Sequence, residues 1–121
     1  MSEKSLTVRE FDFHGDVLLT AMHDGRPVVA LKRVAENIGL DWPSQFKRVK
    51  ADPVLAPVVG KIATTGADGK TYEMTSFPVD MLPGFLFGVN ANKVHPHIRE
   101  KLMRYQRECF PALHGYWTTG V

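Results

Sequence analysis

The sequence predicts a small α+β domain, because two kinds of hydrophobic periodicity alternate along its 121 residues. Short β-type runs between turn signals fill the first thirty residues and return after residue 60. Apolar residues spaced three and four apart, which is typical of amphipathic helices, follow each of these regions. The expected architecture is an N-terminal β-meander, a two-helix corner, a β-hairpin, a buried short helix and a long C-terminal helix over the sheet.

Three short runs of β-favouring residues predict the meander. The first run is 8–13, and the second, 17–22, follows a tight turn at 14–16. The pair Asp24-Gly25, a strong signal for a two-residue hairpin turn, leads into a third run at 27–30. Residues 1–7 precede these runs and are predicted to be a flexible leader, so the folded domain is expected at 8–121.

The two-helix corner is predicted around Gly39. Apolar residues of the first helix occupy positions i, i+3, i+4 and i+7, and a glycine is suited to end such a helix. Asp41 can cap a second helix that runs to about residue 51. Its side chains are expected to divide into an inward apolar pair and an outward basic group, namely Phe46 and Val49 inward and Lys47, Arg48 and Lys50 outward.

The second half of the chain predicts a hairpin and two further helices. Segments 61–65 and 71–77 flank a Gly-containing turn, with Tyr72 and Met74 expected to point inward. The apolar stretch 79–89 predicts a short buried helix. A longer helix is expected to start near Pro96.

The last helix shows the strongest periodicity in the sequence. Its apolar stripe is expected to pack on the core, Pro111 to interrupt or kink the helix, and Gly115 to release the chain into an aromatic tail. The apolar surface around this helix exceeds what one small core can bury, which favours contact with a second subunit. The stripe consists of Ile98, Leu102, Tyr105, Cys109 and Ala112.

Composition excludes several classes of protein. The formal net charge of +2 is too small to indicate nucleic-acid binding by itself. A single cysteine permits no disulfide within one chain, which is typical of a reducing compartment. No apolar run approaches the ~18 residues of a membrane-spanning helix, and the polar N-terminus lacks the apolar core of a signal peptide. We therefore expect a cytoplasmic protein without membrane contact.

Neither a metal site nor a catalytic site is predicted, so we expect no enzyme, no cofactor and no small-molecule substrate. His95 and His97 flank Pro96, and their rings are expected to diverge, whereas zinc needs three or four converging ligands. Cys109 and His114 are five residues apart, which places their side chains about 140° apart on a helix. Cys109 also lies on the apolar stripe, where cysteine behaves as a small hydrophobic residue.

The corner around Gly39 has two interpretations. A helix-turn-helix needs a small residue followed four residues later by a turn glycine, and Ala35 and Gly39 fit that spacing. The basic second helix would then contact nucleic acid. However, Phe46 and Val49 are displaced by about one residue from the positions which that motif requires. The alternative is an ordinary αα corner with a solvated basic face.

Several blocks of sequence, spread over about 8–117, form a recognisable series. They are FHGD at 13–16, VAENIGLDW at 34–42, FKRVKADPVL at 46–55, FP at 77–78, LPGFLFGVNAN at 82–92 and PHIREKLMRYQRECF at 96–110. Together they resemble the N-terminal domain of temperate-phage antirepressors, a family that is similar to the Bro-N type of viral domain.

This resemblance implies that the protein binds a prophage repressor and takes it off its operators, so that lytic genes are expressed in the bacterial host. DNA binding is proposed for Bro-N domains, which implies the alternative that this domain contacts DNA directly. Antirepressor N-terminal domains are often followed by a separate C-terminal domain. Because the sequence ends soon after Trp117, we expect either a short antirepressor or a fragment of a longer protein.

Nine residues are candidates for contact with the repressor, DNA or a second subunit. The basic residues of the second helix are expected to meet acidic protein surface or phosphates, and the aromatic residues are candidate anchors. For each residue the alternative is a solvated face or the edge of the core. The candidates are Lys47, Arg48 and Lys50, then Trp42, Tyr116 and Trp117, and finally Arg99, Arg104 and Arg107 on the outward face of the last helix.

Overall fold

The computed structural model describes residues 6–65 and 68–119, and in these ranges the predicted α+β fold is confirmed. Residues 1–5 of the predicted leader lie outside the described residues, whereas its last two residues form a short strand. The strands are β1 (Leu6–Thr7), β2 (Arg9–Phe13), β3 (Asp16–His23), β4 (Arg26–Ala30), β5 (Gly60–Thr65) and β6 (Thr71–Pro78). The α-helices are α1 (Leu31–Ile38), α2 (Trp42–Ala51), α3 (Leu82–Phe87) and α4 (Pro96–Thr119).

One sheet contains the meander and the second hairpin. Its strand order is β1-β5-β6-β4-β3-β2, with β1 parallel to β5 and the other pairs antiparallel. The pairing of β4 with β6, in which Val29 is opposite Phe77, joins the two parts. Only Val8 separates β1 from β2, so the two outermost strands of the sheet are consecutive in the chain.

Two turns with positive φ angles fix the register of the meander. His14 and Gly15 have φ values of 52° and 89°, and Asp24 and Gly25 have values of 52° and 74°. Positive φ at both central residues is the geometry of two-residue hairpin turns, which matches the twist of the flanking strands. The predicted turns are therefore confirmed.

The helices cover one face of the sheet and form the main core. Leu31, Val34, Ala35 and Ile38, the predicted apolar face of α1, are all buried there. A smaller cluster, consisting of Ala21, Val28, Ala30, Ile62 and Met74, is buried on the opposite face. Tyr72 was expected to point inward with Met74, but it is 49% exposed. Its hydroxyl donates to the Asp68 carboxylate in the turn, which satisfies the ring's polar end outside the core.

The helix α4 begins at Pro96 as predicted but does not end where the sequence suggested. It continues through Pro111 and Gly115 to Thr119, so the expected aromatic tail is helical. Buried side chains on both sides of the proline, Cys109 and Leu113, keep the helix on the core. Tertiary packing therefore outweighs the hydrogen bond that Pro111 cannot donate.

Candidate partner-binding surface

The corner between α1 and α2 is held by two local devices that were predicted from the sequence. Gly39 has a φ of 105°, and a Cβ there would lie 3.0 Å from Cγ2 of Ile98. The positive φ therefore favours glycine, and any larger residue would also meet Ile98 of α4 closely. The Asp41 carboxylate caps α2 by accepting from the backbone N–H of Ser44 at 3.1 Å. Hydrogen bonds from the Ser44 hydroxyl and N–H lower the pKa of Asp41.

Aromatic and basic side chains share the outside of α2. The rings of Trp42 and Phe46 are 5.3 Å apart, and Nζ of Lys50 lies 5.9 Å from the Phe46 centroid. Both rings are half-buried, so the prediction that Phe46 points inward with Val49 is wrong, whereas Lys47 and Lys50 are exposed as predicted. No ion pair among the described residues includes either lysine. We call Trp42, Phe46, Lys47 and Lys50 the α2 outer face.

Arg48 does not point outward as the sequence suggested. Its Nη2 donates to the carbonyl of Phe85 at 3.0 Å, and its guanidinium carbon lies 5.0 Å from the Phe85 ring centroid. Nε donates to Gln45 Oε1 at 3.1 Å. Burial lowers the pKa of the guanidinium, and the nearby Asp52 charge opposes this shift. The long side chain reaches an acceptor at the end of α3, so helical periodicity alone misplaces it.

The three candidate arginines of α4 have different environments. Nε of Arg99 donates to the carbonyl of Ala91 at 2.9 Å, which ties the start of α4 to the preceding turn. Arg104 is half-buried, whereas Arg107 is exposed. Arg107 is therefore the most accessible of the three for an external partner.

The aromatic residues at the end of α4 pack against β2. The rings of Tyr116 and Phe11 are 5.3 Å apart, and the Arg9 guanidinium carbon lies 5.7 Å from the Trp117 centroid. Tyr116 and Trp117 are both half-buried. Among the described residues Nε1 of Trp117 has no hydrogen-bond partner. These two rings thus contribute to the packing of α4 on the sheet as well as to the surface.

The nine candidates do not form one site. Trp42, Lys47 and Lys50 share α2, while Arg107, Tyr116 and Trp117 lie on α4. No hydrogen bond, ion pair or ring contact in the described ranges joins these two groups. That these residues contact a partner stays a prediction.

A mixed-charge cleft of about 1100 Å³ adjoins the α2 outer face at Trp42. Its charged lining comes from β2, α1, β5 and β6 and contains equal numbers of acids and bases: Glu10, Glu36, Glu73, Lys32, Arg33 and Lys61. Such a balance gives no net attraction for a charged small ligand. The cleft extends the polar surface around Trp42.

Sequence reasoning missed the surface between β2 and α4. A groove of about 550 Å³ lies there, which we call the β2–α4 groove. It exists because α4 runs alongside β2 and continues through Pro111 without ending there. Its lining residues are Phe11, Asp12, Phe13, His14, Arg107, Glu108, Pro111 and Ala112.

A second missed contact fixes α4 to the first hairpin. Tyr105 donates its hydroxyl to Asp16 at 2.6 Å, and Nζ of Lys101 lies 3.0 Å from the same carboxylate. Burial, followed by the hydrogen bond to Asp16, raises the pKa of Tyr105. Asp16 and Lys101 are 85 residues apart, so sequence spacing carried no signal of this contact.

The histidine pair is closer than expected. Nδ1 of His95 lies 2.8 Å from Nδ1 of His97, so the rings converge and the predicted divergence is wrong. His95 lies outside the helix that Pro96 begins, so helical periodicity does not set its direction. In the described ranges, no group of three or more His, Cys, Asp or Glu side chains could hold a metal ion.

Burial raises the pKa of Cys109 to about 12.

Comparison with protein-family models gives a match that covers nearly the whole chain. The family model described as P22_AR N-terminal domain matches residues 9–121. Neither the curated proteins nor the solved structures contain a significant match to the chain. Among the residues that the structure describes, none of the helices combines the length and apolar character needed to cross a bilayer.

Proposed function

Because the chain belongs to the P22_AR N-terminal domain family, a family of phage antirepressor N-terminal domains, we propose that it binds a prophage repressor and prevents operator binding. Repressor held by this protein no longer occupies its operators, and lytic genes are then expressed. We place this activity in the cytoplasm of the bacterial host, where repressor and operator meet.

The α2 outer face is the observation that carries the proposal. It presents two half-buried aromatic rings beside two lysines that form no ion pair within the described ranges. Aromatic side chains are enriched among residues that dominate the energy of protein interfaces, and charged residues are typical of the surrounding rim. The surface fits a repressor patch that combines an apolar pocket for Trp42 with acidic residues opposite Lys47 and Lys50.

Competition with DNA sets the affinity that this surface must reach. Specific operators are typically bound with dissociation constants near 10⁻⁸ to 10⁻¹¹ M. The antirepressor must therefore bind its repressor in about the nanomolar range, or gain avidity by assembly with a second copy.

An operator-release assay tests the proposal. Cognate repressor is bound to labelled operator DNA, this protein is added, and the bound fraction is measured by fluorescence anisotropy. We expect stoichiometric release by the wild type. Replacement of an interface anchor typically loses at least about 2 kcal/mol, so Trp42→Ala should weaken release by roughly 30-fold.

Charge reversal separates binding from folding. Lys47→Glu with Lys50→Glu should weaken release without unfolding the domain, because both side chains are exposed and lie outside the core. Lys93→Glu, which reverses an exposed lysine in the turn before α4, is the matched control and should release repressor normally. If the Lys47→Glu, Lys50→Glu variant releases repressor as well as Lys93→Glu does, the α2 outer face is not the binding surface. If the wild type releases no repressor, the antirepression proposal is wrong.

Direct DNA binding is a second candidate, favoured by exposed cations on both helices of the corner. Lys32 and Arg33 on α1 and Lys47 and Lys50 on α2 are all exposed, although Lys32 lies 4.0 Å from the Glu36 carboxylate. Four phosphate contacts predict a slope of roughly −3.6 in a plot of log K against log salt concentration. A titration on duplex DNA from low to physiological salt measures that slope, and absence of binding at low salt rejects this candidate.

We also propose that the domain acts by binding and performs no chemistry. Cys109 is fully buried in the core, and its raised pKa keeps the thiol protonated at neutral pH. A thiol in that state is a poor nucleophile, because the thiolate is the reactive form.

A further inference from the structure

The strand β2 is a free edge of the sheet. It is the last strand in the order and pairs only with β3. On the edge of β2 that faces away from β3, no backbone hydrogen bond is made to another described segment. Unpaired N–H and C=O groups along such an edge can pair with an additional strand.

The register of the hairpin identifies the backbone groups that point outward. The two-residue turn at His14-Gly15 places Phe13 opposite Asp16. In such a turn the flanking pair exchanges hydrogen bonds, and bonded and non-bonded pairs then alternate along the ladder. Phe13, Phe11 and Arg9 therefore bond to β3, while the N–H and C=O groups of Glu10 and Asp12 face away from it.

The β2–α4 groove lies alongside this edge. Its apolar lining comes from Phe11, Phe13, Pro111 and Ala112. His14 and Glu108 close one part of the rim with a 2.8 Å contact, and Arg107 is exposed nearby. Pro111 has no N–H, so the helix lacks the donor for the Arg107 carbonyl four residues earlier.

The two faces of β2 carry different kinds of side chain. Arg9, Phe11 and Phe13 lie on the face that meets α4, whereas the acidic side chains of Glu10 and Asp12 lie on the opposite face. Glu10 and Asp12 are exposed, and no ion pair in the described part of the chain includes them, although Glu10 also lines the mixed-charge cleft with Lys32 and Arg33. An added strand would place alternate side chains beside these carboxylates and the remaining ones beside the apolar lining.

We propose that the β2–α4 groove binds an extended peptide segment, with alternating basic and apolar residues, which adds as a further strand to the free edge of β2. Main-chain hydrogen bonds to Glu10 and Asp12 supply affinity, and the alternation of charge supplies specificity. The proposal deepens the proposed function, on which it rests for the partner's identity, because the segment belongs to the repressor.

A peptide titration tests the groove directly. The probe is a capped hexapeptide of alternating lysine and valine, and the readouts are amide chemical shifts and hydrogen exchange of the intact protein. We expect shifts and protection at the Glu10 and Asp12 amides. A peptide of the same composition with three lysines followed by three valines should bind at least about tenfold more weakly, because its side chains cannot match both sides.

Two sets of variants make the result specific to strand addition. Asp12→Pro removes an outward N–H without removing a hydrogen bond to β3, and should abolish the protection from hydrogen exchange that the peptide gives β2. Asp12→Asn retains the N–H and should retain this protection. Glu10→Lys with Asp12→Lys should reverse the preference towards a glutamate–valine peptide. If the proline variant does not fold, the charge-reversal variant alone tests whether the peptide adds to β2.

The outcomes distinguish the groove from antirepression. Undiminished peptide binding by folded Asp12→Pro, unchanged preference after charge reversal, or no binding of the alternating peptide at millimolar concentration would overturn the groove. If Glu10→Lys with Asp12→Lys still binds the cognate repressor fully while the α2 variants do not, antirepression stands and the groove assignment fails. If wild type binds no repressor, the proposed function fails and the peptide titration alone decides the groove.

Discussion

Replacement of Gly88 by alanine tests whether Arg48 is a packing element between α2 and α3. Gly88 has φ −73° and ψ −14°, which alanine adopts without strain. Its added Cβ, however, would overlap Nη1 of Arg48 and lie 3.2 Å from Cζ. The guanidinium must therefore shift from its position over Phe85, and we expect the hydrogen bond from its Nη2 to the Phe85 carbonyl to break.

Two interactions of the displaced guanidinium set the expected magnitude. A hydrogen bond from a charged donor contributes about 1.5–3 kcal/mol and a cation–π interaction about 0.5–1 kcal/mol. Glycine to alanine at a compatible backbone position returns roughly 0.4–1 kcal/mol. Because Arg48 is only half-buried, we take the lower part of this range. Gly88→Ala should then reduce the free energy of unfolding by about 1–2 kcal/mol.

A double-mutant cycle isolates the clash. Wild type, Gly88→Ala, Arg48→Ala and the double variant are unfolded in urea, and the free energies of unfolding are compared. Without the guanidinium, the alanine at position 88 should be neutral or slightly stabilising, so we expect a coupling energy of about 1–3 kcal/mol. An equal loss from Gly88→Ala in both backgrounds would refute the placement of Arg48 against α3.

Three further predictions concern the corner and the core. Gly39→Ala should lower the free energy of unfolding by about 1–3 kcal/mol in urea denaturation, because alanine is strained at φ 105° and meets Ile98; an unchanged midpoint would contradict the turn geometry. Hydrogen bonds from Ser44 lower the pKa of Asp41, so the charged carboxylate stabilises α2 fully at pH values above the ordinary pKa of 3.8. This stabilisation is lost as the pH falls through the lowered pKa. The thermal midpoint of wild type should thus exceed that of Asp41→Asn at neutral pH and approach it in acid, whereas a difference independent of pH would argue against the charged cap. Cys109 should react with a thiol reagent only after denaturation, and rapid labelling of the native protein would contradict its burial.

Local signals predicted most of the elements because the interactions that form them are local. The Asp24-Gly25 turn and the Gly39 termination follow from backbone conformations that few residues adopt. Asp41 caps α2 through a residue only three positions away. The pairing of β4 with β6 and the course of α4 beyond Pro111 depend on distant residues, and periodicity carries no information about them.

The candidate site was predicted less completely than the fold. Lys47 and Lys50 are exposed as the helical period indicated, but Arg48 turns back to α3 because a long side chain can reach an acceptor that the period ignores. The β2–α4 groove depends on a free strand edge and on a helix that passes a proline. Neither feature is encoded at one position, so inspection of single residues did not reveal them.

An antirepressor that acts by binding the repressor protein must displace the repressor from DNA, and the antirepressor must not bind the operator. Sedimentation velocity of a mixture of this protein, cognate repressor and operator, each with its own label, measures which components move together. We expect a species of this protein with repressor that lacks operator, together with free operator. Co-sedimentation of this protein with operator, with repressor remaining bound or with repressor absent, would contradict displacement by protein–protein binding.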